Sequence, residues 1–448
     1  MDGTLAAADL ERLRKEFSAN PAYRLTQNAV TRVTVDDVAI NREIVASIDH
    51  SQSVTLDDWK VTNQEKSGRC WLFAGLNLLR VGVMRETGIK DFEFSQNYAM
   101  FWDKLERANY LLEAIIETAD RDLDDRTVAF LLSTAASDGG QWNMFAALVA
   151  KHGLVPKGYM PETESSSNTG RMNSVLRYQL RQGARAIRAA VASASSPDEG
   201  LAAARAAKTD IMQVIYRILC IHLGTPPERF DWQWTDKDKE FHRDGVLTPR
   251  EFADKYVDLP VSDYVCLVND PRPSSPVGAT FTVEYLGNVV GGPRVTYLNV
   301  GTQVIKDVAA ATIEGGEPVW FGCDVGKMMS NDYAFWDAKL YDLPLVYDTA
   351  FGLDKAERLA YHESAMTHAM LFTGVDVLDG ATRRWRVENS WGADRGQDGF
   401  FTMNDSWFDQ YVFEIAARRS ALPADLQRAL DADPIVLPAW DPMGALAR

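Results

Sequence analysis

The chain has 448 residues, about three times the ~150 that serve as a prior for one domain, and its 46% hydrophobic and 25% charged residues lie near the globular average. A minimal module and whole-chain disorder are excluded. Lys and Arg number 47 against 63 Asp and Glu; the net charge of −16 is spread along the chain and counts against nucleic acid as a general partner.

No run approaches the ~18 uninterrupted apolar residues of a membrane span. The opening MDGTLAAADLERLRKEF mixes acids and bases, unlike a secretory signal, and reads as an amphipathic helix. Residues 1–60 continue with alternating stretches such as RVTVDDVAI, which read as strand and turn. From Cys70, WLFAGLNLLRVGVMRE repeats apolar residues at three and four, which predicts a helix buried on most sides. SQNYAMFWDKLERANYLLEAIIETA predicts a second, amphipathic helix.

Residues 165–225, rich in Ala and Arg and broken at SASSPDEG, read as an inserted helical layer. After the loop DPRPSSPVG, alternation and β-branched residues predict strands in FTVEYL, VTYLNV, PVWFGCDV, AMLFTGVDVL, RRWRVEN and GFFTM. Helices first and strands later, without βαβ alternation, predict an α+β fold. The ending PIVLPAWDPMGALAR is apolar where a frayed terminus would be polar, so Trp440, Met443 and Leu446 are expected to pack.

The four cysteines, Cys70, Cys220, Cys266 and Cys323, form no CxxC pair, which suits a reducing cytoplasm. Cys220, Cys266 and Cys323 sit in apolar settings and are assigned to the core. Cys70 follows a Ser-Gly-Arg turn and opens a helix, where unpaired N–H groups favour an anion and should lower a thiol pKa. Taken alone, it fits a buried structural cysteine better, because free Cys usually behaves as a small hydrophobe. His368 stands where a polar segment enters an apolar strand, and Asn389 closes RVEN before Ser-Trp-Gly; His152, His222, His242 and His362 read as rim or core histidines.

Taken together, NQEKSGRCW, MTHAM and ENSWG resemble the papain-like cysteine peptidases, in which Gln, Cys, His and Asn occur in that order. With the ending PAWDPMGALA they more closely resemble the bleomycin hydrolase and aminopeptidase C family, over nearly the whole chain. Secreted papain-like enzymes place His and Asn ~130–150 residues after the Cys. Here the separations are 368 − 70 = 298 and 389 − 70 = 319, and the excess coincides with the inserted helices. Ser67 stands where the secreted signature has a disulfide-forming Cys.

The resemblance implies Cys70 as nucleophile, His368 as its base and acid, and Asn389 as the residue orienting the imidazole. It also implies Gln64 as an oxyanion donor and Trp391 as a cover over the His-Asn bond. Gly139 and Gly140, in SDGGQW, match a Gly pair that lets substrate backbone approach; a plain turn before a helix fits them as well. The C-terminal arm, with Ala447 and Arg448, is implied to lie in the cleft and meet the substrate's α-ammonium.

The resulting expectation is a cytoplasmic cysteine aminopeptidase of broad side-chain tolerance that acts on peptides with a free N-terminus, as a homohexamer without cofactor or metal. Expected boundaries are 1–60 for an N-terminal segment, 61–164 for the helical half with the nucleophile and 165–260 for an inserted, oligomerising region. Residues 261–420 make the β half and 421–448 the arm. A non-catalytic papain-like scaffold is the main rival, and an acyltransferase or endopeptidase a second. DKDKEFHRDG at 236–245 departs from calcium-loop spacing and reads as a solvated charge run.

Overall fold

The computed structural model describes residues 3–56 and 59–447. Its centre is a sheet in which the strand His368–Leu378 is antiparallel to Val319–Cys323 on one side and Ala381–Glu388 on the other. Beyond Val319–Cys323 the order continues through Val412–Arg418, Tyr264–Val268, Tyr297–Asn299 and Thr280–Val283 to Ile435–Leu437. On the other flank follow Phe400–Asn404, Phe335–Trp336 and Met329–Ser330. Mixed helix and sheet without regular βαβ alternation make this the expected α+β fold.

His368–Ala369–Met370–Leu371 is buried throughout because both faces of this strand are covered. Leu371 belongs to one apolar cluster with Cys70, Trp71 and Trp320, whereas Met370 and Phe372 belong to a second cluster with Phe321 and Trp385. Alternate side chains therefore serve opposite cores. The helix Cys70–Thr87 lies on the first face, with Trp320 Nε1 donating to the Trp71 carbonyl at 3.3 Å. Fourteen of its eighteen residues are buried, which accounts for its weak polar face.

Helices Gln96–Glu117 and Trp142–His152 complete this layer, and the long pair Gly170–Ser193 and Pro197–Leu223 packs outside it. Within RVTVDDVAI, read as strand and turn, Val35–Ala39 is instead a short helix, because the Thr34 hydroxyl caps it by accepting the Asp37 N–H. Residues 230–247 also differ from the sequence reading. Phe230–Thr235 and Phe241–Leu247 form an antiparallel hairpin, with the charge run at its turn. Asp236 there accepts the N–H groups of Asp238 and Glu240, so part of that run builds the turn. Cys266 and Cys323 are fully buried as expected, and Cys220 is half-buried, packed against the edge of the core.

Candidate active site

Cys70 is the first residue of its helix, and its thiol is buried with the backbone N–H groups of Ala369, Trp71 and Cys70 itself facing it. Ala369 follows His368, so the start of the sheet strand and the start of the helix meet at the sulfur. The sequence predicted a depressed thiol pKa. Burial instead pushes the Cys70 thiol up to about 11, against the pull of those N–H donors. Burial also holds the His368 imidazole down at about 4, although its bond to Asn389 favours the charged form. Desolvation outweighs the helix terminus here because either charge alone lies in a closed apolar setting.

His368 Nε2 lies 2.9 Å from Asn389 Oδ1, and that oxygen also accepts the Ser390 N–H at 2.8 Å. The Ser390 N–H can only donate, which identifies that atom as the amide oxygen. His368 Nε2 is then the donor, which leaves Nδ1 as the basic nitrogen. The Trp391 ring lies 5.1 Å from the imidazole, tilted by 32°.

Gln64 is joined to the same strand end. Its N–H donates to the Ser390 carbonyl at 2.8 Å, and its Oε1 accepts the Ser390 hydroxyl at 2.6 Å. Gln64 Nε2 donates to the Ser67 carbonyl at 2.6 Å, leaving its second N–H for another acceptor. Ser67 closes the loop by donating to the Gln64 carbonyl at 2.6 Å and accepting Arg69 Nε at 2.9 Å. Hydrogen bonds thus hold this loop at the position where the secreted signature carries a cysteine.

Gly140 is packed against Trp71, and a Cβ there would lie 2.4 Å from the indole, so close packing already requires this glycine. The Gly139 carbonyl accepts Arg107 Nη2 at 2.6 Å. Asp138, just before, accepts Lys104 at 2.5 Å, Thr169 at 2.5 Å and Asn173 at 2.7 Å, and its carbonyl takes Trp71 Nε1 at 2.8 Å. Lys104 and these hydrogen bonds hold the Asp138 carboxyl below its usual range despite burial.

The arm arrives from the far edge of the sheet, where Ile435–Leu437 runs parallel to Phe281–Val283. Asp441 takes a fork from Arg272, at 2.9 and 3.2 Å, and the Met443 carbonyl accepts Tyr297 OH at 3.2 Å. Met443, Leu446 and Ala447 are buried in the same apolar cluster as Cys70 and Trp71. Trp440 is half-buried, with Arg126 stacked 3.9 Å from its ring centroid. Arg448 lies outside the described residues.

Ser390, Lys104, Arg107 and Asp138 escaped the sequence reading. Ser390 stands inside the NSWG stretch and was the most accessible of them; the others carry no local signal. Among the described residues, no group of three or more His, Cys, Asp or Glu side chains is placed to hold a metal ion, and no helix is long and apolar enough to cross a membrane.

Known proteins resemble this chain over nearly its whole length. The chain is 42% identical to human bleomycin hydrolase over 445 residues, covering 97% of each. It is 40% identical to aminopeptidase C of Lactobacillus delbrueckii subsp. lactis over 441 residues, covering 98% of this chain and 97% of the relative. The crystal structure of pepw from Lactobacillus rhamnosis HN001 superposes with a TM-score of 0.96 at 44% identity, covering 99% of this chain and 100% of that one. The model of the Peptidase C1-like family matches residues 4–444, and the chain belongs to that family of papain-like cysteine peptidases.

Proposed function

We propose that this chain is a cytoplasmic cysteine aminopeptidase that removes N-terminal residues from peptides through Cys70, His368 and Asn389. Similarity to bleomycin hydrolases and aminopeptidases C supports the activity, and the His368–Asn389 bond supports the assignment of roles. The Cys70 sulfur adds to the scissile carbonyl carbon as its proton passes to His368 Nδ1, which keeps the pair neutral overall. The oxyanion receives the free Gln64 N–H and the Cys70 N–H. When the C–N bond breaks, the imidazolium returns its proton to the leaving amine; water then attacks the thioester, and the acid product and free thiol form.

The observation that carries exopeptidase action is the burial of Met443, Leu446 and Ala447 in the cluster that holds Cys70. An arm lodged there shortens the cleft and offers a carboxylate to an α-ammonium; a blocked N-terminus would leave that charge unpaired. Residues 61–164 and 261–420 act as the two halves of the enzyme, with 165–260 inserted and 1–60 packed outside. Residues 421–448 form the arm, and Gly139 and Gly140 border the substrate. Four free cysteines fit a reducing compartment. Family resemblance supports a homohexamer, for which light scattering should read six times the 49.9 kDa chain.

The test compares an aminoacyl amide with a free α-amino group and its N-acetyl counterpart, using wild type, Cys70→Ala and a chain lacking residues 445–448. Cleavage of the free amine alone, lost in Cys70→Ala and relaxed by the deletion, is expected. Equal cleavage of both substrates by wild type would discard the arm's role, and full activity of Cys70→Ala would discard the thiol mechanism.

A further inference from the structure

We infer that Arg107 is the positioning residue that sets the end of the C-terminal arm relative to the nucleophile, an inference that rests on the aminopeptidase reading. Arg107 lies on the helix Gln96–Glu117, and its side chain is only 12% exposed. Four groups meet at its guanidinium. Asp103, one turn earlier, accepts Nη2 at 3.0 Å and Nε at 3.3 Å. The Gly139 carbonyl accepts Nη2 at 2.6 Å, and the Ala447 carbonyl lies 3.5 Å from Nη1. The Trp71 ring, next to Cys70, lies 6.0 Å from its central carbon.

A guanidinium is a rigid planar fork, so fixing one edge on Asp103 fixes the direction of the others. Asp103 is itself held by Asn288 Nδ2 at 3.0 Å, and its side chain is 2% exposed. Farther back on the arm, the Met443 carbonyl accepts Tyr297 OH. Four residues later, Arg107 meets the last described carbonyl.

Packing alone does not set that end. A cleft of about 70 Å³ lies under it, lined by Arg107, Tyr110, Ala136, Gly287, Gly444 and Ala447. With space on that side, an apolar tip could slide, and a directed charge-dipole contact in a poorly solvated cleft supplies the missing constraint. The same side chain touches the loop that borders the substrate and the residue beside the nucleophile. Arg107 thereby gauges the distance from Cys70 to the arm's end, and with it how much of a peptide is accepted before the scissile bond.

The test uses full-length Arg107→Lys and the charge-neutral double variant Arg107→Met with Asp103→Asn, which avoids leaving Asp103 buried alone. The expected result is a fall of tenfold or more in preference for free over N-acetylated aminoacyl amides in the double variant. KM for the free amine should rise while the rate of Cys70 alkylation stays within twofold of wild type, and Arg107→Lys should fall between. Amide hydrogen exchange of residues 443–447, read by mass spectrometry, should speed up at least tenfold in the double variant.

Unchanged exchange of the arm would overturn the inference, as would an equal loss on both substrates with unchanged preference, the mark of a merely structural role. If the double variant does not fold, Arg107→Lys is read by the same two criteria. Should wild type itself cut both substrates equally, the aminopeptidase reading fails, and exchange of the arm still decides whether Arg107 positions it.

Discussion

Arg80 and Glu388 form an ion pair at 2.8 Å in which neither side chain is more than 2% exposed. Arg80 lies three turns along the helix that Cys70 opens, and Glu388 immediately precedes Asn389. Asn77 and Trp59 donate to the same carboxylate, at 2.8 and 2.6 Å, so helix, N-terminal segment and Asn389 strand are tied at one point. Burial raises the Glu388 pKa, and Arg80 with the Trp59 and Asn77 bonds opposes that rise. Removing one partner of such a pair strands the other. Arg80→Met should lower unfolding stability by about 3–5 kcal/mol in urea titration, and adding Glu388→Gln should restore much of it. A loss under 1 kcal/mol would show that the pair does not couple these elements.

The opposed shifts at the site have a kinetic consequence. With His368 at about 4 and Cys70 at about 11, the thiol keeps its proton and the imidazole stays neutral between those values. Below about pH 4 the imidazole is protonated while the thiol keeps its proton, and the base is lost. Alkylation of Cys70 by iodoacetamide, followed from pH 3 to 10, should therefore stay slow and keep rising with pH as the thiolate fraction grows toward about pH 11. A rise that is complete near pH 8 to 9, as for a free thiol, or a plateau from low pH, as for a thiolate-imidazolium pair, would contradict the raised thiol pKa.

Gln64 and Ser390 divide one task. Gln64→Ala should lower kcat ~10²- to 10³-fold with little change in KM, the loss of one oxyanion donor. Ser390→Ala removes only the hydroxyl that holds Gln64 Oε1. It should cost about tenfold, as a small misplacement of a catalytic group does, and leave the pH profile unaltered. A larger effect for Ser390→Ala than for Gln64→Ala would reverse the assignment.

Glu414 is fully buried beside Cys266 on the same core face, and burial raises its pKa from 4.5 to about 8. Between those values the folded chain keeps a proton that the unfolded chain has lost. Its contribution to stability is complete below about pH 4.5 and disappears as pH rises through about 8. Thermal unfolding of Glu414→Gln should show a flatter dependence over that window than wild type; identical slopes would refute the shift.

What the sequence determined by itself is local. The 3.6-residue apolar repeat after Cys70, the apolar strand entered at His368 and the apolar ending each report on neighbours within a few residues, and each forms the element or burial expected. Short motifs in a fixed order also carried the family. The hairpin at 230–247 was harder to read because its charged turn hides the pairing of Trp232 and Trp234 with the strand beyond. Only the tertiary structure decided which distant groups meet: Ser390 with Gln64, Arg80 with Glu388, Arg107 with Ala447. It also reversed the expected direction for the Cys70 thiol. Both outcomes have one cause, since a helix terminus is visible in local sequence, whereas desolvation and ion pairing depend on what the rest of the chain packs against it.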